Sequence, residues 1–124
     1  MRINKLLVIL AFSMLFNNAV AADFNKGLKA AQSGDFKTAL AEWTPLAEQG
    51  YADAQSNLGT MYDNGSGVLT DTKRAYMWYN LGSYNSNELG GENKDNLAKE
   101  MTPADLSKAQ EMSIRCLESN YTDC

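Results

Sequence analysis

The most reactive side chains in this sequence are carboxylates and two cysteines, because the chain contains no histidine. Without an imidazole base, the serine and cysteine triads that depend on one are excluded, as are histidine metal sites. Carboxylate pairs such as Asp53 with Asp63, or Glu88 with Glu92, offer the residue types of a general acid and base. Any acidic helical protein contains such pairs, however. The sequence therefore predicts no catalytic residue, no cofactor and no metal ligand.

Both cysteines, Cys116 and Cys124, lie at the C-terminal end of the chain. We expect them to form a disulfide, provided that the chain enters an oxidising compartment. Closing so short a loop removes little entropy from the unfolded chain and should stabilise the fold by only about 2.5 kcal/mol. That is enough to keep a fraying terminus in place. The alternative is two unpaired thiols. A zinc site is less favoured than either, since only two thiolates and no histidine are present.

The first residues have the layout of a secretory signal. Arg2 and Lys5 precede an uncharged apolar run over residues 6–16, which is shorter than the roughly 18 residues of a spanning helix. Ala19 and Ala21 form an A-x-A cleavage site, so residues 1–21 are predicted to be removed. An uncleaved membrane anchor is the less favoured alternative. We expect the mature chain to be periplasmic or secreted, without stable insertion in a membrane.

Residues 22–124 are enough for one domain with a modest core. The signal holds two of the 11 basic residues and none of the 15 acidic ones, which leaves a net charge of −6 on the mature part. Nucleic acid is therefore excluded as a partner, because its phosphates require clusters of lysine and arginine.

Apolar residues recur at helical spacing throughout the mature region, and no stretch alternates as a strand would. The predicted fold class is all-α. Helices are expected over about residues 23–33, 36–50, 52–64, 71–84, 93–101 and 102–119. Phe24, Leu28 and Ala31 are expected to face the core from the first helix. The polar segment 85–92, which contains Gly90-Gly91, is predicted to be a loop.

Several helix boundaries carry recognisable signals. Asp71 and Thr102 have the residue types and positions of N-caps, and Thr102 is followed by a proline at the first helical position. Gly50 and Gly65 are expected to end the helices before them. Pro45 lies within the second predicted helix and is expected to bend it.

A repeated pair of helices is indicated by the spacing of 35 positions between Trp43 and Trp78. Small residues such as Ala39, Ala54 and Gly59 are expected where helices approach one another closely. Residues 52–81 resemble the Sel1-like repeats, relatives of the tetratricopeptide repeats. The matching positions are Ala52, Ala54, Gln55, Leu58, Gly59, Met61, Tyr62, Gly65, Gly67, Val68, Asp71, Ala75, Trp78 and Tyr79.

The resemblance implies a short α-solenoid of antiparallel helix hairpins with a C-terminal capping helix. A hairpin over residues 23–50 would precede the Sel1-like repeat at 52–85, and residues 92–124 would form the capping region. After Leu81 the sequence departs from the family pattern, so a third full repeat is doubtful.

The same resemblance implies a concave surface, made by the first helix of each pair, that holds a protein or peptide partner. Asn57, Lys73, Tyr76 and Asn80 fall off the apolar stripes of their helices and are the predicted binding residues. The predicted function is that of an exported adaptor or scaffold in the cell envelope. The alternatives are a cell-wall-acting hydrolase, and an inhibitory or structural subunit of an envelope complex.

Overall fold

The computed structural model describes residues 22–124, and the predicted signal at residues 1–21 lies outside them. Within this part the chain forms six α-helices and no strand, which confirms the all-α class. The helices are α1 (Phe24–Gln32), α2 (Phe36–Ala47), α3 (Ala52–Asn64), α4 (Thr72–Tyr84), α5 (Glu88–Ala98) and α6 (Pro103–Glu118). Among the described residues, no helix is long and apolar enough to cross a membrane.

Side-chain caps begin five of these helices. In each, a side-chain oxygen accepts a hydrogen bond from the backbone N–H three residues later, which satisfies one of the amides that lack a partner in the first turn. The capping residues are Asp23, Asp35, Asp71, Asn87 and Thr102. The caps predicted at residues 71 and 102 are therefore confirmed.

Of the two glycines predicted to end helices, only Gly65 does so. Gly65 adopts the left-handed conformation directly after α3, with φ of 69°, as its position predicts. Gly50 is also left-handed, but α2 already ends at Ala47 and residues 48–50 form a separate turn. Pro45 lies inside α2, two residues before its end.

The predicted loop at residues 85–92 is wrong, because α5 begins at Glu88 and includes both glycines of the Gly90-Gly91 pair. Glycine is a poor helix former, so the local sequence favours a loop. Tertiary packing overrides that preference. A Cβ at Gly90 would lie only 3.0 Å from the backbone oxygen of Tyr79, so α5 can approach α4 this closely only where the side chain is a hydrogen atom.

Helix α4 lies at the centre of the core and contributes seven buried residues. On one side its Met77, Trp78 and Leu81 join a cluster with α2, α3 and Cys116 of α6. On the other side, α4, α5 and α6 meet around a second cluster. Burial of two faces explains why the apolar residues of α4 do not follow a single stripe.

The predicted core face of α1 is right for Phe24 and Ala31, which pack against the core, and wrong for Leu28. Leu28 is 38% exposed, whereas Gly27 and Ala30 are buried. The indole of Trp43 lies against Gly27, and its Nε1 donates to the backbone oxygen of Phe24 at 3.1 Å. A large ring thus fills the space over a residue without a side chain.

Cys116 and Cys124 form a disulfide, with their Cα atoms 4.6 Å apart, which confirms the predicted pair. Cys116 is fully buried against the core, whereas Cys124 is partly exposed. The bond fastens residues 119–124, which follow α6, to the body of the protein.

Two groups at the start of α1 hold the pKa of the Glu42 carboxyl, in α2, below its ordinary value of 4.5. The backbone N–H of Asp23 has the larger effect and donates to Oε2 at 2.8 Å. Lys26 Nζ lies 3.1 Å from Oε1. Because the pKa is lower in the folded state, these contacts favour folding above pH 4.5. Their contribution disappears as the pH falls through the folded-state pKa.

In the variant Glu42→Gln, the part of the stability loss at low pH that comes from protonation of Glu42 should be absent. Thermal unfolding followed by circular dichroism between neutral pH and about pH 3 should show a smaller decrease in Tm for the variant than for the wild type. Glu48→Gln, which changes an exposed carboxyl just after α2, serves as the control and should keep the wild-type profile. If Tm decreased equally for Glu42→Gln and the wild type, the contacts of the Glu42 carboxylate would not contribute to stability.

Candidate binding surface

Helix α3 presents one polar face to solvent. The residues that follow this face by one position, Ala54, Leu58 and Met61, are all buried against the core. The polar face is made by residues spaced at helical intervals, namely Asp53, Asn57, Thr60 and Asn64. Amides and hydroxyls on such a face can both donate and accept hydrogen bonds. We call these four residues the α3 strip.

A small groove of about 120 Å³ lies between α3 and α5. Asp63 of α3 lines it together with Asn93, Asn96 and Glu100, and Leu97 forms its apolar part. The wall is therefore made of carboxylates and amides. This composition suits a polar or positively charged group better than an anionic one.

The hydroxyl of Tyr79 supports the groove from the core side. It lies 3.2 Å from Thr60 Oγ1 and 3.4 Å from Asp63 Oδ2, as a donor to these oxygens. Burial raises the pKa of this phenol above its ordinary value, and the nearby Asp63 carboxylate acts in the same direction. The hydroxyl therefore stays protonated at neutral pH and continues to donate to its α3 partners.

Asn87 fastens the start of α5 to α3. Its Oδ1 accepts from Ser56 Oγ at 2.9 Å and from the backbone N–H of Gly90 at 2.7 Å. Its Nδ2 donates to Asp53 Oδ1 at 2.7 Å. Sequence reasoning missed this residue, although an asparagine just before a helical segment is a recognised N-cap signal.

Aromatic side chains meet just before the start of α3. The ring of Tyr51, which precedes α3, lies against the ring of Phe24 with 5.3 Å between their centroids. Leu28 follows one turn later on α1 and is partly exposed, as is Tyr51. The strip is therefore bordered by the acidic and amide groove on the α5 side, and the exposed ring of Tyr51 lies just before its first residue in the chain.

The four predicted binding residues do not form one surface. Asn57 is half-exposed on the α3 strip. Lys73 lies elsewhere, because its Nζ is 3.5 Å from Asp105 Oδ1 of α6. Asn80 is half-exposed. By helical spacing it shares a face of α4 with Lys73 and Tyr76. The residues through which α4 approaches α3, by contrast, are Tyr79 and Gly82.

Tyr76 requires a correction, because its side chain does not lie off the apolar stripe. It is only 5% exposed and belongs to the cluster in which α4, α5 and α6 meet, with Leu97 and Ala109. A helix packed on two sides buries residues that a single-stripe pattern assigns to the surface.

The acidic pairs noted in the sequence are held apart or exposed. Asp53 and Asp63 lie near opposite ends of α3, separated by ten positions or about 15 Å along the helix axis. Glu88 and Glu92 are exposed on successive turns of α5. Within residues 22–124, no group of three or more carboxylates and cysteines has the arrangement of a metal site.

No protein-family model matches the chain, and no curated protein matches its sequence. Membership of the Sel1-like repeats therefore stays a prediction that depends on residues 52–81 themselves.

Proposed function

We propose that this protein is an exported helical-repeat adaptor that binds an extended segment of another protein across the α3 strip. The observation that carries the proposal is the composition of this surface. Its exposed side-chain amides and hydroxyl lie beside the groove of Asp63 and Glu100, and the exposed aromatic ring of Tyr51 precedes them in the chain. A peptide needs these three kinds of contact for its backbone, its apolar side chains and its polar side chains.

The order of helix contacts supports a short solenoid of the Sel1-like type. Each helix from α1 to α5 packs on the next along the chain, and α6 packs on α4. In this arrangement α1 with α2 and α3 with α4 are two successive pairs, and the α3 strip lies on the first helix of the second pair. The first helices of the pairs form the surface through which Sel1-like repeats would bind a partner. The resemblance and the chemistry of the strip therefore point to the same surface.

Helix α6 has the composition of a closing helix. Its exposed residues are mostly polar or charged, and Ile114 is the one large apolar side chain among them that is more than half exposed. Terminal helices of solenoids need such polar outer faces, because no further repeat covers them. This supports residues 92–124 as a cap and gives no support to stacking of a further subunit on α6.

Export is supported by the disulfide together with the signal-like start of the sequence. A buried cysteine paired within a tail is stable in an oxidising compartment and rare in a reducing one. We therefore place the proposed adaptor in the periplasm or outside the cell.

The proposal is tested by site-specific photo-crosslinking in cells of the source organism. A photoreactive amino acid at position 57 is expected to capture a discrete protein, whose crosslinked segment mass spectrometry would identify. The same group at position 110, an exposed glutamine of α6, is the matched control and should not capture it.

A synthetic peptide with the captured sequence should then bind the purified protein, and Asn57→Ala combined with Asn96→Ala should weaken binding about tenfold. The pair Lys73→Ala and Asn80→Ala, on the α4 and α6 side, should leave the affinity unchanged. Identical crosslinks at positions 57 and 110, or a peptide that binds both double variants equally well, would refute the proposal.

A further inference from the structure

We propose that the Cys116–Cys124 disulfide is a redox-controlled latch that holds the corner between α4 and α5, residues 85–87, against α3. The latch acts through the tail that follows α6, not through the helices that line the binding surface. Its effect on partner binding depends on the function proposed above, whereas the latch itself does not.

The tail has a backbone that needs an external constraint. Asn120 and Tyr121 both have positive φ, 54° and 64°. Asparagine tolerates this left-handed conformation, but a bulky residue such as Tyr121 rarely adopts it. The turn is closed by Tyr121 N–H, which donates to the backbone oxygen of Cys116 at 2.8 Å. The disulfide spans these residues and so keeps them in this turn.

Tyr121 transmits the constraint to the rest of the protein. Its ring lies over Gly50, where a Cβ would be 3.5 Å away. Its hydroxyl accepts a hydrogen bond of 3.0 Å from the Nδ2 of Asn85, at the end of α4. The tail is thereby joined both to the turn that precedes α3 and to the corner that precedes α5.

Asn85 continues the chain of contacts into the core. The same Nδ2 also donates to Oε1 of Gln55 at 2.8 Å, and Gln55 Nε2 donates to the backbone oxygen of Ala47 at 3.0 Å. Gln55 is fully buried, with 0% of its surface exposed. A buried polar group that loses its partners is costly, so this network favours one position of the corner.

The corner in turn positions the candidate binding surface. Asn87 lies two residues after Asn85 and holds Asp53 and Ser56 of α3. Displacement of residues 85–87 would therefore alter the distance between the α3 strip and α5. The disulfide is remote from the strip and still bears on its geometry.

The redox step requires a dithiol as reductant. Its thiolate attacks the sulfur of Cys124, the more exposed of the two cysteine residues. This step forms a mixed disulfide and releases the Cys116 thiolate, which takes up a proton. The second thiol of the reductant, as thiolate, then attacks its own sulfur in the mixed disulfide and releases Cys124. Two electrons pass to the protein disulfide, and the dithiol becomes a disulfide.

The test is amide hydrogen exchange of the exported protein, resolved by residue, with the disulfide intact and after reduction with dithiothreitol. The N–H groups of Asn85, Asn87 and Gly90 are bonded to Leu81 O, Gly82 O and Asn87 Oδ1. We expect them to exchange about tenfold faster after reduction, while amides of α1 change little.

Three variants separate the latch from a general loss of stability. Cys124→Ser should reproduce the reduced pattern without reductant and leaves the buried Cys116 in place. Tyr121→Phe keeps the disulfide and removes only the hydroxyl, so it should accelerate exchange at the corner to a smaller degree. Asp123→Asn, which changes an exposed ion pair with Arg115 in the same tail, should behave as wild type.

Faster exchange in the tail alone, with the corner unchanged, would overturn the latch. Equal acceleration in α1 and the corner would also overturn it, because reduction would then act only on global stability. Neither result depends on a partner, so the latch can fail while the proposed binding function stands, and the reverse also holds.

Discussion

Gly59→Ala is expected to destabilise the protein by about 2 kcal/mol, even though alanine is the better helix former. A Cβ at this position in the middle of α3 would lie 2.7 Å from Cε1 and 2.9 Å from Cγ of Tyr79. The Tyr79 ring is 2% exposed and its hydroxyl is bonded to α3, so it has little room to move. Overpacking should therefore outweigh the gain in helix propensity.

Urea unfolding followed by circular dichroism would measure the change, with Gly91→Ala as the matched control. Gly91 also lies within a helix, but a Cβ there would meet only the side chain of Ser83, whose Oγ at 3.0 Å can rotate away. This control should be as stable as the wild type or more stable by up to about 1 kcal/mol. If both alanine variants gained stability, close packing at Gly59 would be disproved.

Gln55→Met is expected to cost about 2 kcal/mol, although methionine has nearly the same shape. The substitution removes the hydrogen bond to Ala47 O and the acceptor of Asn85 Nδ2, in a place that water does not reach. Asn85 would keep only Tyr121 as partner. The loss arises from polar groups left unsatisfied and not from a cavity.

Gln49→Met is the corresponding control, since Gln49 is exposed in the turn after α2. Its free energy of unfolding should differ from that of the wild type by less than about 0.5 kcal/mol. Thermal and urea unfolding of both variants would measure the difference between the two positions. A Gln55→Met variant as stable as Gln49→Met would mean that the buried network contributes nothing to stability.

The position of Gly59 shows both the strength and the limit of sequence reasoning. Its place in the repeat pattern predicts close approach of another element, and that approach is present. The approaching group is the ring of Tyr79 on α4, however, and not simply a neighbouring backbone. A glycine indicates that space is needed, but the residue that fills the space depends on how two helices are aligned.

Asn57 and Tyr76 illustrate the same limit for the candidate surface. Both lie off the apolar stripe of their own helix by sequence. Asn57 remains half-exposed because α3 keeps one face toward solvent, whereas Tyr76 is buried because α5 and α6 cover a second face of α4. Asn57 and Tyr76 differ because of the number of helices packed around α3 and α4, and a local sequence pattern does not contain that number.

The sequence by itself determined the all-α class, the caps at Asp71 and Thr102, the turn at Gly65 and the pairing of the only two cysteines. These features depend on interactions within a few residues, or on composition alone, so they can be recognised without the fold. Only the tertiary structure decided that Gly90-Gly91 lies inside a helix and that Gln55, Asn85 and Tyr121 form one network. The physical reason is that close packing and buried hydrogen bonds join residues as many as 36 positions apart in the chain, and local propensity is too weak to oppose them.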